Sequence, residues 1–293
     1  MPIVISMEHG SGPVYTYNAE VNPKNSSVMI VYLWQGGLGL PDRDYYLRSD
    51  NTSRKIQDAY KAHIARVLVL AGEPASEAGA DAETIYAMEK DFAASHFSSE
   101  ACQDPQKTTN LYDPAKLEEQ YPAIGWQQLF AIQGSGPVNV VDVSQPSYVQ
   151  ELDKMLRTAP LEDWKVYLKY RLLDDASPYL DTSFEQEYFA FYSTTLNGID
   201  EMQPRWKRVV DAENDLLGNA VGQAYVARYV DPRTRGMYPI PGHEKMVSTK
   251  TLPVMIAAHS NVVIVTMGSS AFFNAWRQRM LCSSRPFARA VVM

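Results

Sequence analysis

The segment of residues 35–47 constrains the fold of this chain more than any other part of its sequence. It reads Gln-Gly-Gly-Leu-Gly-Leu-Pro-Asp-Arg-Asp-Tyr-Tyr-Leu. Its glycines, Gly36, Gly37 and Gly39, allow positive φ angles or a close approach to neighbouring backbone. Pro41 fixes its own φ and favours an extended conformation for the residue before it. The segment therefore predicts a rigid, shaped loop.

The residues after the proline indicate how this loop is anchored. Asp42, Arg43 and Asp44 can pair locally or cap the next helix. Tyr45 and Tyr46 offer large apolar anchors. Because glycine-rich loops usually shape the backbone, we expect a structural turn that docks one helix on another. Direct contact with a substrate is the alternative.

Other segments of the chain carry distinctive residues in a definite order. They are residues 22–27, 30–33, 164–168, 189–198, 204–210 and 218–226. Together with the loop, these segments resemble the neprilysin and endothelin-converting-enzyme family of zinc metallopeptidases. The N-terminal region of that family carries a GLGLPDRDYYL segment very similar to residues 37–47. The resemblance covers roughly residues 15–235.

The resemblance implies a mainly α fold, namely the multi-helix N-terminal domain of a neprilysin-like peptidase, with few short strands. In complete relatives this domain covers the active-site cleft like a lid, the cofactor is zinc and the substrates are peptides. The missing catalytic domain is then a partner of this chain. Complete relatives are membrane-anchored, secreted or periplasmic, which leaves the localisation of this chain open.

The zinc-binding motif of the family has no complete counterpart in the sequence. A zincin places two histidines four residues apart on one helix face and leaves the glutamate of HExxH free as a base. The nearest match begins at His243 and Glu244, but Val247 stands at the second ligand position and cannot coordinate zinc. The substrate-binding NAFY segment and the third-ligand glutamate motif are also missing. We therefore expect no catalytic residue, no metal ligand and no cofactor in this chain, and no activity of the chain alone.

The length of the chain predicts that it is a fragment of a longer protein. Its charge distribution predicts that the C-terminal tail does not derive from the family domain. Complete relatives are more than twice as long, and Met1 is expected to lie inside an ancestral reading frame. We divide the chain into an uncertain lead-in (1–19), a partial family domain (20–235) and an unmatched tail (236–293). Residues 237–293 contain six basic residues and one acidic residue, although the whole chain has a net charge of −7. This reversal indicates a tail that is frame-shifted, recombined or disordered.

Apolar periodicity and end signals predict mostly helices in the matched region. Gly72 is expected just past the end of the first helix, Pro114 at the first position of another, and a capping box from Ser183 to Gln186 at the start of a third. Residues 138–143 are the one convincing strand. The predicted helices span residues 53–71, 81–94, 114–121, 126–132, 148–158, 161–173, 184–196 and 204–230.

Aromatic and acidic clusters in these helices favour structural roles. The rings of residues 164, 167 and 170 and those of residues 188–192 are expected in the core rather than around a cofactor. The acidic pairs Asp174–Asp175 and Glu118–Glu119 are expected to be solvated charges near helix ends. The small residues of the segment 218–222 are expected to let a neighbouring helix pack closely.

Composition excludes several classes of function. The negative net charge argues against nucleic-acid binding. No window reaches the roughly 18 apolar residues that a membrane-spanning helix requires, and the first residues do not resemble a signal peptide. A disulfide between Cys102 and Cys282 is not expected, because the two lie in parts of different character.

Three functions remain for the structure to test. The first is the non-catalytic N-terminal domain of a neprilysin-like endopeptidase. The second is a standalone module that binds peptides or a partner through the surface otherwise covered by the catalytic domain. The third is an unrecognised hydrolase that uses His243 and Glu244.

Overall fold

The computed structural model describes residues 13–229, which fall into two units, residues 13–200 and residues 201–229. The predicted tail, including His243 and Glu244, lies outside the described residues. None of the described helices is long and apolar enough to cross a membrane.

Helices make up most of the described chain, which confirms the mainly α fold class. Two 3₁₀ turns (Pro122–Ile124 and Ser177–Tyr179) and one π-helix (Phe189–Thr195) accompany them. The strands are β1 (Tyr15–Asn22), β2 (Asn25–Gln35), β3 (Leu111–Tyr112) and β4 (Val141–Val143). The α-helices are α1 (Asp44–Leu47), α2 (Asn51–Leu70), α3 (Ala75–Ser95), α4 (Ser99–Cys102), α5 (Pro105–Thr108), α6 (Pro114–Gln120), α7 (Trp126–Ile132), α8 (Pro146–Thr158), α9 (Leu161–Ala176), α10 (Thr182–Tyr188) and α11 (Arg205–Tyr229).

A four-stranded sheet in the order β1-β2-β4-β3 precedes and flanks the glycine-rich loop. Strands β1 and β2 form an antiparallel hairpin that pairs Tyr15 with Gln35, β2 runs parallel to β4, and β3 runs antiparallel to β4. The sheet agrees with the few strands that the resemblance implied, and the strand predicted over residues 138–143 forms as β4 from Val141; β1 and β2, which are longer, were not predicted individually. Their β-branched and aromatic residues favour strands, a local signal that the sequence-based prediction did not use.

Several helix ends follow the predicted local chemistry. Asp50 caps α2 by accepting hydrogen bonds from the backbone of Thr52 and Ser53. At the other end Gly72 has a φ of +91°, and Glu73 N donates to Leu68 O over 3.1 Å. This pair of features is a Schellman-type end, which confirms the predicted role of the glycine.

The helix expected to start at a capping box begins differently. Asp181 is the N-cap of α10, and its carboxylate accepts from Ser183 N at 2.8 Å. Ser183 lies inside the helix rather than at the cap, because an aspartate two positions earlier already satisfies the free backbone donors. The helix then continues into the π-helix, and Gly198 ends the segment with a φ of +68°.

The core of the first unit joins the sheet to helices α2, α3, α8 and α9. Trp164, Tyr167 and Tyr170 are buried on α9, and Phe191 is buried on the π-helix, as the sequence predicted for these aromatic residues. Helix α11 forms the described part of the second unit. It covers nearly the predicted range, with a non-helical φ of −121° at Leu217.

Candidate functional site

The glycines of the loop are needed for two physical reasons, backbone conformation and close contact with a neighbour. Gly37 has a φ of +82°, a conformation that strains any other residue. A Cβ at Gly36 would lie 3.0 Å from Tyr15 Cα, so this glycine permits close approach of β1. A Cβ at Gly39 would lie 1.8 Å from Tyr60 Oη. The loop is therefore shaped by conformation at one glycine and by contact at the other two.

Tyr46 holds the loop in place from the inside. Its side chain is buried, and its hydroxyl accepts hydrogen bonds from Gly39 N at 3.1 Å and Leu40 N at 2.9 Å. The same hydroxyl donates to Glu89 Oε2 at 2.6 Å. One tyrosine thus connects the loop to the middle of helix α3.

Glu89 is the centre of a buried polar cluster. Tyr60 donates to Glu89 Oε1 at 3.0 Å, and Arg171 Nη1 lies 4.0 Å from the same oxygen. Burial raises the pKa of Glu89 to about 7, although the nearby guanidinium and the hydrogen bonds from Tyr46 and Tyr60 act in the opposite direction. We name this group the Glu89 cluster; its members are Tyr46, Tyr60, Glu89 and Arg171.

The charged residues of the loop bind locally. Asp42 Oδ1 accepts from Asp44 N at 2.7 Å, and Asp44 pairs with Arg48 at 3.0 Å on the surface. Arg43 Nη1 donates to His96 O at 2.5 Å. These three residues fasten the turn after Pro41; Arg43, the N-cap residue of α1, provides no side-chain cap, and Asp42 instead accepts from the first backbone N–H of that helix.

Further loop contacts come from α2, from α9 and from His96, which follows α3. Tyr45 O accepts from Gln57 Nε2 at 2.8 Å, and Tyr167 Oη lies 2.9 Å from Gly37 O. His96 Nε2 lies 2.9 Å from Gly36 O, and burial lowers the pKa of His96 to about 3. His96 is therefore neutral near pH 7, and its Nε2–H donates to the loop carbonyl.

A second buried polar group lies beside the Glu89 cluster. His63 on α2 contacts Asp174 on α9 and Glu187 on α10, at 3.0 Å and 2.8 Å. Tyr192 donates to the other oxygen of Asp174 at 2.6 Å. The prediction that Asp174 is a solvated charge was wrong, because its side chain is only 4% exposed and bonded on both oxygens.

The described residues do not fit a zinc ion. Between residues 13 and 229, no three His, Cys, Asp or Glu side chains converge in a way that could hold a metal. In the group around His63, Nδ1 faces one carboxylate and Nε2 faces the other, on opposite sides of the ring. No catalytic step through zinc follows from this part of the chain.

An open cleft lies on the face of the sheet that carries Tyr32 and Trp34. Its volume is about 560 Å³, and the two rings stack with centroids 5.9 Å apart. Its lining includes two acidic residues, Glu20 and Asp142. The other lining residues are Val21, Pro23, Ile30, Cys102, Gln103, Pro105, Thr108 and Thr109.

Sequence reasoning located the loop but missed most of the side chains that it packs against. Glu89 and Arg171 were not singled out, and Tyr60 was predicted only as part of the apolar face of its helix. A signal was available, because Glu89 lies four residues after Ile85 and three before Phe92, in the apolar stripe of α3. A lone carboxylate in an apolar stripe indicates a buried partner.

Comparisons with known proteins agree on one family. The model of peptidase family M13, N-terminal part, matches residues 3–238. Neprilysin-2 of Drosophila melanogaster is 26% identical over 234 residues, which cover 74% of this chain and 30% of that protein. Endothelin-converting enzyme 1 of Homo sapiens is 25% identical over 231 residues, or 76% of this chain and 30% of the relative. The chain thus spans about a third of the length of the curated relatives it matches.

Solved structures lead to the same result. The zinc metalloprotease ZMP1 of Mycobacterium tuberculosis, in complex with an inhibitor, aligns with a TM-score of 0.71 and 31% identity over 76% of this chain and 34% of that one. The open state of the same protease aligns with a TM-score of 0.74 and 28% identity, over 80% of this chain and 36% of that one.

Proposed function

The chain belongs to peptidase family M13, whose members are zinc metallopeptidases, and it corresponds to the N-terminal region of that family. From this membership we propose that it acts as a non-catalytic lid, which covers the zinc cleft of a catalytic domain and admits only peptides small enough to enter. Proteolysis then depends on residues of the catalytic domain.

The observation that carries this proposal is the combination of family match and loop geometry. In the described contacts, Gly37 and Tyr46 hold the loop against α9 and α3, and Arg43 holds it to the residue that follows α3. This arrangement supports a rigid body rather than a substrate subsite. ZMP1 has been solved in open and partial open states, which is expected of a protease with a movable cover.

A chimera tests the lid. Residues 13–229 would replace the matching region of ZMP1, and cleavage of a short peptide would be compared with cleavage of a long unfolded chain. The measured quantity is the ratio of the cleavage rate of the short peptide to that of the long chain. We expect this ratio to be at least tenfold higher in the chimera than in the matched control, which is the catalytic part of ZMP1 without a lid. This chain alone, supplied with zinc, should cleave neither substrate.

Circular dichroism of the chimera verifies that the transplanted helices are folded. A folded chimera with the same size preference as the uncovered catalytic part would refute the lid role. Zinc-dependent cleavage by this chain alone, lost in His243→Ala, would favour the third function instead.

The cleft supports a second candidate, a module that binds peptides without catalysis. Its volume lies in the range of ligand pockets, and its stacked rings with two carboxylates suit a cationic side chain. In this reading the chain binds a lysine- or arginine-containing peptide on its own.

Calorimetric titration distinguishes this candidate from the lid. We expect a basic peptide to bind and an acidic peptide of equal length not to bind, with Glu20→Gln weakening the affinity by about fivefold. Lys24→Gln, on the same hairpin but outside the cleft lining, is the matched control and should not weaken it. Equal heats for both peptides would rule out this second function.

A further inference from the structure

His63 is completely buried and has a carboxylate on each side of its ring. Nδ1 lies 2.8 Å from Glu187 Oε1, and Nε2 lies 3.0 Å from Asp174 Oδ1. A neutral imidazole carries one N–H, so one of these contacts would set a nitrogen lone pair against a carboxylate oxygen. With both carboxyl groups ionised, both contacts are hydrogen bonds only when the ring is an imidazolium.

Charge balance leads to the same protonation state. Asp174 and Glu187 contribute two negative charges, and Arg66 contributes one positive charge through its 2.7 Å contact with Glu187. The imidazolium makes the group neutral, whereas a neutral His63 leaves one buried negative charge without compensation. The uncompensated charge is costly because Asp174 has almost no access to water.

The group joins three parts of the fold that are otherwise separate in sequence. His63 is on α2, Asp174 on α9, and Glu187 near the end of α10. The π-helix that follows α10 packs against the same ring: Phe191 stacks on it with centroids 4.6 Å apart, and Tyr192 meets it edge-on at 5.4 Å. A π-helix in place of an α-helix is often found where a side-chain arrangement is functional.

We propose that the His63 imidazolium forms proton-dependent ion pairs that hold the segment Thr182–Thr195 against α2 and α9. Loss of this proton releases the segment before the rest of the core unfolds. The charged and titratable groups that face the ring are Tyr60 and Arg66 from α2, Asp174 from α9, Glu187 from α10 and Tyr192 from the π-helix.

The sign of the pH dependence follows from the partners. Burial lowers the pKa of His63, but the hydrogen bonds with Asp174 and Glu187 outweigh burial, so the pKa is raised above its usual 6.5. The stabilisation is complete below the unfolded pKa and is lost as the pH rises through the raised pKa. Opening of the segment should therefore increase up to tenfold per pH unit above 6.5 and level off beyond the raised pKa.

Two measurements on the full chain test this role of the His63 imidazolium. Nitrogen-15 NMR should show both ring nitrogens of His63 protonated at pH 6. Amide hydrogen exchange, corrected for its intrinsic pH dependence, should show protection of residues 182–195 falling between pH 6 and pH 9 more than protection of α3. In His63→Phe, which keeps a ring against Phe191, this pH dependence should disappear.

Two further variants keep the test decisive if His63→Phe does not fold. Glu187→Gln removes one carboxylate and should move the loss of protection to lower pH. His96→Gln changes the second buried histidine of the described residues, which is already neutral, and should leave the pH dependence of residues 182–195 unchanged. A singly protonated His63 ring at pH 6, or the same pH dependence in His63→Phe and the unchanged chain, would overturn the proposal.

Discussion

Gly39→Ala should lower the free energy of unfolding by about 3 kcal/mol, near the upper end of the usual cost of overpacking a core. The added Cβ would lie 1.8 Å from Tyr60 Oη, and that ring is fully buried. Tyr60 has no room to turn aside, because its ring packs against Tyr46, Tyr170 and Phe191. Any shift also stretches its hydrogen bond to Glu89.

Gly79→Ala is the matched control for this substitution. Gly79 lies inside α3, and a Cβ there meets no atom within 4 Å. Alanine at this site should stabilise the chain by about 0.5–1 kcal/mol, since it favours the helix. Urea unfolding of both variants measures the difference. Equal midpoints would show that the loop yields to the new methyl group and that close contact is not why residue 39 is glycine.

Glu89→Leu should destabilise the chain by about 4 kcal/mol. The leucine leaves the hydroxyls of Tyr46 and Tyr60 without their acceptor and removes the carboxyl group that lies 4.0 Å from the buried guanidinium of Arg171. Glu89→Gln keeps the side-chain size and one acceptor oxygen, so its cost should be clearly smaller.

The pH dependence of stability separates the charge of Glu89 from its shape. Because burial raises the pKa of Glu89 from 4.5 to about 7, the folded state holds a proton that the unfolded state releases. Stability from this group is complete below pH 4.5 and falls as the pH rises to about 7. Glu89→Gln should flatten that fall when urea midpoints are compared at pH 5, 6 and 7. An unchanged slope would mean that Glu89 is already ionised at pH 5.

Local sequence signals predicted where helices begin and end better than they predicted which distant side chains contact each other. Gly72 and Pro114 lie at the helix ends where they were expected, because end chemistry depends on a few neighbouring residues. Asp174 was misjudged because the residues that bury it, His63 and Tyr192, lie far from it along the chain or on another element. Strand β1 was missed although its own residues favour a strand, and its pairing with β2 in a sheet is a contact that its local sequence does not specify.

The sequence by itself determined the family and the predominance of helices, and it located the glycine-rich loop. Those properties depend on residue order, periodicity and backbone conformation, all of which are local. Only the tertiary structure decided that Glu89 and His63 are the centres of two buried polar groups. Burial and pairing of charge arise when distant helices meet, and the free energy of a buried carboxylate depends on partners that no local pattern specifies.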